Sequence, residues 1–108
     1  MLALLVALGA GLGSVVRHAC AQRLDAHWPA GTFAVNVVGS VLVGAFAALA
    51  LDEHWWALLG VGLCGGMTTY SGFAVQVTDL GWLRGLGYAA ATIGTSLAGC
   101  AAAFALLA

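Results

Sequence analysis

The sequence predicts an all-α membrane protein of four short transmembrane helices, the third broken near mid-membrane. Three observations predict it. Hydrophobic residues make up 63 % of the 108-residue chain and charged residues only 6 %, against roughly 25 % charged in a soluble domain. The three basic and four acidic residues fall into short clusters that part the chain into four apolar runs. Each run has about the 20 residues needed to cross roughly 30 Å of hydrocarbon. The third run also holds Gly65-Gly66-Met67-Thr68-Thr69-Tyr70-Ser71-Gly72-Phe73. Glycine pairs and vicinal threonines loosen a helix and free backbone carbonyls, which lipid tolerates only where they are buried in protein or line a polar cavity.

The first span, about residues 1–22, is apolar apart from Arg17 and His18 near its end. A cleavable signal peptide is the competing reading of its start, but no basic residue precedes the apolar run. The run is therefore expected to remain as a span. A polar turn, Arg23 to Pro29, leads to the second span, about 31–51, which holds one amide, Asn36. Asp52-Glu53-His54 forms the next turn, and the broken third span covers about 55–77. A last turn, Asp79 to Arg84, precedes the fourth span, about 86–108. The whole chain, 1–108, reads as one four-span domain. Trp28, Trp55, Trp56 and Trp82 sit at the turns, as interfacial anchors should.

Charge excludes some functions. Three basic residues make no stripe that could neutralise phosphates, so nucleic acid is not a partner. All four carboxylates lie in turns, which argues against a proton-coupled exporter needing a buried acid. No nucleophile–base pair or metal constellation is visible, so the chain is not expected to be an enzyme. Cys20, Cys64 and Cys100 lie in different runs without pairing or ligand spacing and are expected to pack as small residues. His18, His27 and His54 lie near span ends and are read as interfacial, with no assigned role. Arg17, Arg23 and Arg84 all belong to the side carrying the first and third turns. The positive-inside rule places that side in the cytoplasm, on a bias of only two or three charges.

Small residues recur four apart: Gly9 with Gly13, Ser40 with Gly44, Gly62 with Gly66, and Gly81 with Gly85. Such pairs allow close backbone approach, either within one subunit or in a dimer seam. Four short helices fill their own centre, so a permeation path is expected between subunits. The polar groups at membrane depth are Arg17, Asn36, the hydroxyls from Thr68 to Ser71, Gln76, Tyr88, Thr92 and Ser96. They can donate hydrogen bonds without presenting negative charge, which suits an anion. Tyr88, Thr92 and Ser96 are four apart and form one stripe. Alternatively, Thr and Ser bond their own helix carbonyls at i−4, a frequent habit without function.

Three stretches then carry a family resemblance, in order and over the whole chain. Residues 9–17, GAGLGSVVR, resemble the glycine-rich start of the fluoride channel family (Fluc, also called CrcB proteins). Residues 31–40, GTFAVNVVGS, resemble its second-helix motif, and residues 62–73, GLCGGMTTYSGF, its third-helix signature. The resemblance implies a passive fluoride-selective channel of the cell (inner or plasma) membrane, surrounded by lipid. It implies an antiparallel, dual-topology dimer with two pores along the interface and a structural sodium ion, Na+, on the central axis. The backbone carbonyls of Gly65 and Thr68 would hold that ion, as an oxygen cage for a hard cation.

Carried over residue by residue, Asn36 would offer its NH2 to fluoride, and Tyr70 and Phe73 would turn ring edges toward it. Ser71, in the same hydroxyl-rich break, is also expected to line the pore and bind fluoride. Tyr88, Thr92 and Ser96 would form the hydroxyl track, and Arg17 would concentrate anions at the vestibule. The chain departs from the family pattern at Tyr70 (usually Phe), Gly72 (Thr), Ala74 (Ser) and Gln76 (Glu). These departures raise a heterodimer with a diverged paralogue as the alternative to a homodimer. A small proton-coupled multidrug-type exporter and a non-conducting partner subunit of a heterodimer compete with the channel reading.

Overall fold

A computed structural model describes residues 1–26 and 28–108 of the chain, so the expectation for His27 lies outside it. The protein is all-helical, with four helical segments long and apolar enough to cross a membrane: Leu2–Leu24, Ala30–Ala48, Glu53–Asp79 and Trp82–Leu107. The first two are α1 (Leu2–Leu24) and α2 (Ala30–Ala48). The third is composite: α3 (Glu53–Trp55), a π-helical stretch (Trp56–Cys64), α4 (Gly65–Met67) and α5 (Tyr70–Asp79). The fourth is α6 (Trp82–Leu107).

Caps set the boundaries. Asp25 ends α1 in an extended conformation, and its Oδ1 accepts the Thr32 N–H at 3.0 Å, capping the first turn of α2. Asp52 accepts from His54 N and Trp55 N at 3.0 and 3.1 Å and starts α3. Two ends differ from the sequence expectation. The second span stops at Ala48 rather than 51, because Ala50 takes a left-handed φ of 52° that turns the chain. The fourth starts at Trp82 rather than 86, because Gly81, at φ 84°, completes the turn early. Gly81 thus makes a corner and lies on no helix face.

The glycine pairs resolve into contacts within the subunit. A Cβ on Gly9 or Gly13 would fall on backbone of the third segment, and one on Gly66 on the backbone of Ala10. The first and third spans therefore touch main chain to main chain, the close approach that small residues permit. Gly44 meets the Cys100 carbonyl and joins α2 to α6; Gly85 meets that of Val77 and closes the α5–α6 hairpin. Gly65 is different: it is exposed, with open space where a Cβ would stand.

The break falls within the expected stretch, residues 65–73, at its threonines and not at its glycines. Gly65 and Gly66 stay helical, and the chain becomes extended at Thr68 (φ −82°, ψ 154°) and Thr69 (φ −145°, ψ 122°). Two of the four tryptophans also turn inward. Trp28 meets Tyr88 edge-on at 5.2 Å, and Trp56 lies across Gly60, while Trp55 and Trp82 are exposed.

Candidate functional site

Two polar stripes at i, i+4 spacing lie on packed helices. Thr32, Asn36 and Ser40 lie along α2; Tyr88, Thr92 and Ser96 lie along α6. The lower part of these stripes walls a groove of about 380 Å³, floored by the break. Asn36 and Ser40 line it from α2, Thr92 and Ser96 from α6, and Thr68, Thr69, Tyr70 and Phe73 from the third segment. Leu97 and Ile93 are its exposed apolar rim.

The wall hydroxyls behave in two ways. Ser40 Oγ donates to the Asn36 carbonyl at 2.7 Å and Thr68 Oγ1 to that of Cys64 at 3.0 Å, each back-bonding its own helix. Thr92 Oγ1 and Ser96 Oγ are buried and, among the described residues, have no hydrogen-bond partner. Buried hydroxyls are nearly always partnered, and an unmade bond costs about 1–3 kcal/mol. Both residues line the groove, so a small side-chain rotation would bring either hydroxyl to an acceptor placed there.

Asn36 holds the break open. It is 7 % exposed, its Oδ1 accepts the Thr69 N–H at 2.8 Å, and its Nδ2 makes only a long contact, 3.4 Å, to the Thr69 carbonyl. The amide that would close the next helical bond on Gly65 is thereby used elsewhere. The Gly72 N–H, which would return to Thr68, donates instead to Thr69 Oγ1 at 3.1 Å. The carbonyls of Gly65 and Thr68 are left without their helical donors.

A second cavity, about 270 Å³, is lined by Arg17, His18, Asp25, Thr32, Ser71 and Gln76, and it shares Thr69 with the groove. A third, about 210 Å³, continues past Ser40, Thr68 and Ser96 to Cys100. The three adjoin one another as one trough, mostly apolar in surface but studded with hydroxyl and amide groups, with Arg17 and His18 at its more polar end. Beside it Asp25, Thr32, Gln76 and Tyr88 form a hydrogen-bonded cluster: Gln76 Nε2 donates to Asp25 Oδ2 and Thr32 Oγ1, each at 3.1 Å, and Tyr88 Oη donates to Gln76 Oε1 at 3.1 Å.

The structure brings Asn36, Tyr70, Phe73, Thr92 and Ser96 to one groove, with Thr68 in its floor. Tyr70 stands 83 % exposed, its ring centroid 6.5 Å from that of Phe73. Arg17 and Ser71 lie in the neighbouring cavity. Tyr88 does not line the groove; it is wholly buried between Trp28 and Phe73, at 5.2 and 5.4 Å. Gly65 lies on the open outer surface of the subunit. Sequence reasoning missed Thr32 and Ser40, which the i±4 spacing from Asn36 could have found, and it missed Asp25, whose partner Gln76 is 51 residues away.

Comparison with known proteins adds to this geometry. The family model described as CrcB-like protein, Camphor Resistance (CrcB), matches residues 4–106. A fluoride-specific ion channel of Rhodococcus jostii (strain RHA1) is 45 % identical over 82 residues, 74 % of this chain and 72 % of its own length. One of Thermobifida fusca (strain YX) is 44 % identical over 102 residues, covering 91 % of this chain and 85 % of that one. One of Listeria innocua is 37 % identical over 106 residues, 94 % and 90 % of the two chains.

Proposed function

The chain belongs to the CrcB-like family, and from that premise we propose that it is a passive, fluoride-selective ion channel of the cell membrane. It is a multi-pass membrane protein and not an enzyme. The observation that carries the reading is that Thr92 and Ser96, whose buried hydroxyls make no hydrogen bond among the described residues, line the same groove as Asn36. Each can donate to an anion, and none presents negative charge to it.

The chain's residues act in order along the trough. Arg17 raises the local anion concentration at its mouth. Thr69, common to both cavities, leads to the groove. There the free proton of Asn36 Nδ2 and the hydroxyls of Thr92 and Ser96 take the place of water. Phe73 and Tyr70 border the same space and supply ring edges, the positive part of the aromatic quadrupole. Phe73 is held in place by its stack on Tyr88.

The groove lies on the outside of the subunit, between α2, α6 and the break, and α6 buries only Gly85, Tyr88 and Thr92. A second copy in inverted orientation would cover it and make two pores at the interface. A paralogue in the same place is the alternative, suggested by Tyr70, Gly72, Ala74 and Gln76. The dimer would hold a structural sodium ion on its axis through the backbone carbonyls of Gly65 and Thr68. These residues fit such an ion, because their carbonyls lack helical donors and Gly65 stands in the open. Among the described residues no His, Cys, Asp or Glu cluster offers another metal site. Bound there, the cation would supply positive charge that ties two breaks together and draws anions toward them.

Fluoride efflux from liposomes holding the purified chain, with chloride as control, tests the reading. Efflux of fluoride and not chloride is expected, without proton coupling, and Thr92→Val should lower it about tenfold, the worth of one charge-assisted hydrogen bond. Efflux from the chain alone would remove the need for a paralogue. Fluoride movement that depends on a proton gradient would favour the exporter reading instead.

A further inference from the structure

The cluster beside the trough has a direction, set by which of its atoms can donate. Asp25 Oδ2 accepts from Thr32 Oγ1 at 2.9 Å and from Gln76 Nε2 at 3.1 Å. Thr32 Oγ1, its proton committed to Asp25, accepts from the same Gln76 nitrogen at 3.1 Å. A carboxylate accepts and does not donate, and a hydroxyl has one proton. Asp25 Oδ2, and Thr32 Oγ1 once its proton is given to Asp25, therefore require the NH2 end of Gln76 to face them. The carbonyl end, Oε1, is left to face Tyr88, whose Oη stands 3.1 Å away. A carbonyl only accepts, so the Tyr88 proton points at Gln76 and into the protein.

We propose that Asp25, acting through Gln76, fixes the direction of the Tyr88 hydroxyl, so that an anion in the groove meets protons from Thr92 and Ser96 and none from Tyr88. The stripe along α6 thus has two parts. Tyr88 is a fully buried strut whose proton is committed and whose ring supports Phe73. Thr92 and Ser96 make no full hydrogen bond among the described residues, the Thr92 hydroxyl lying within reach of the Tyr88 oxygen. Asp25 is a positioning residue: it touches no permeating ion and decides which hydroxyls are available to one. The inference rests on the fluoride reading only for the identity of the anion; the hydrogen-bond direction stands without it.

Infrared spectroscopy of the purified full chain, without fluoride, tests the direction. The chain has two tyrosines, so the difference between the parent and Tyr88→Phe isolates the Tyr88 C–O stretch. Its frequency separates a hydroxyl that only donates from one that accepts. The parent should show the donor-only band. Asp25→Asn should shift it, because an amide at position 25 can present NH2 to Thr32 and Gln76 and let Gln76 turn over. Asparagine caps a helix as well as aspartate does, so the Thr32 N–H keeps its acceptor. Should Asp25→Asn fail to fold, Gln76→Leu, which removes the acceptor, must shift the band by itself.

An unshifted band in either variant overturns the proposal. In liposomes, Thr92→Val should lose about tenfold more fluoride efflux than Tyr88→Phe does. Equal losses overturn the division of the stripe. Absence of efflux from the parent overturns the fluoride reading and leaves the infrared result standing.

Discussion

Replacing Asn36 by aspartate separates the two jobs that its amide performs. The carboxylate still accepts the Thr69 N–H, so the break should keep its shape. The Nδ2 donor is gone, and a negative charge stands in its place beside the groove. At about 4 Å and an effective dielectric near 20, like charges repel by about 4 kcal/mol. Asn36→Asp should therefore reduce fluoride efflux on the order of a thousandfold while melting near the parent temperature. A variant that both conducts and folds normally would remove Asn36 from the anion path. Much of this site was legible in the sequence. Asn36, Thr92 and Ser96 are polar at membrane depth, and hydrocarbon penalises that unless the groups are paired or used. The role of Tyr88 was not legible, because its partner Gln76 reads locally as one more amide. Only the fold brings Asp25 against Gln76 and sets which end of that amide faces Tyr88.

At the scale of elements, the third segment is held by two unlike constraints. Its first half is pressed against α1 through Gly9, Gly13 and Gly66, where there is no room for a side chain. Its break is tied to α2 by the Asn36 amide. Gly66→Val should cost about 1–3 kcal/mol by overpacking the seam, read as a lower melting temperature in detergent. Gly65→Val, with open space around it, should leave the subunit's own melting unchanged. Equal destabilisation by both would mean that the seam is not where the structure places it. Hydropathy alone located the four spans, since crossing hydrocarbon leaves few other compositions. The glycines and threonines of residues 65–73 located the break, but not which of them would open. The double glycine is the weakest helix former in the segment, yet it stays helical, with Gly66 pressed against Ala10 of α1. The chain opens at Thr68–Thr69, where a residue 33 positions away captures the amide. Nor does any local signal announce the π-helical stretch, which is uniformly apolar.

For the whole molecule, the weak arginine bias and the proposed inverted pairing lead to one measurable statement. A single cysteine at exposed Leu83, in a chain whose native cysteines are replaced, should react with a membrane-impermeant maleimide from both sides. About half the population should be labelled from each side, as expected where basic residues hardly favour one orientation. Labelling from one side only would indicate a fixed orientation and point to a paralogue as the partner. The trough also has a bearing on biogenesis. A newly inserted, solitary copy opens its broken third segment sideways to acyl chains, with loose carbonyls at Gly65 and Thr68 that lipid cannot satisfy. Such a copy is the kind of orphan that membrane quality-control proteases recognise. Cellular abundance should then rise more steeply than synthesis rate, because encounters between newborn chains decide how many survive.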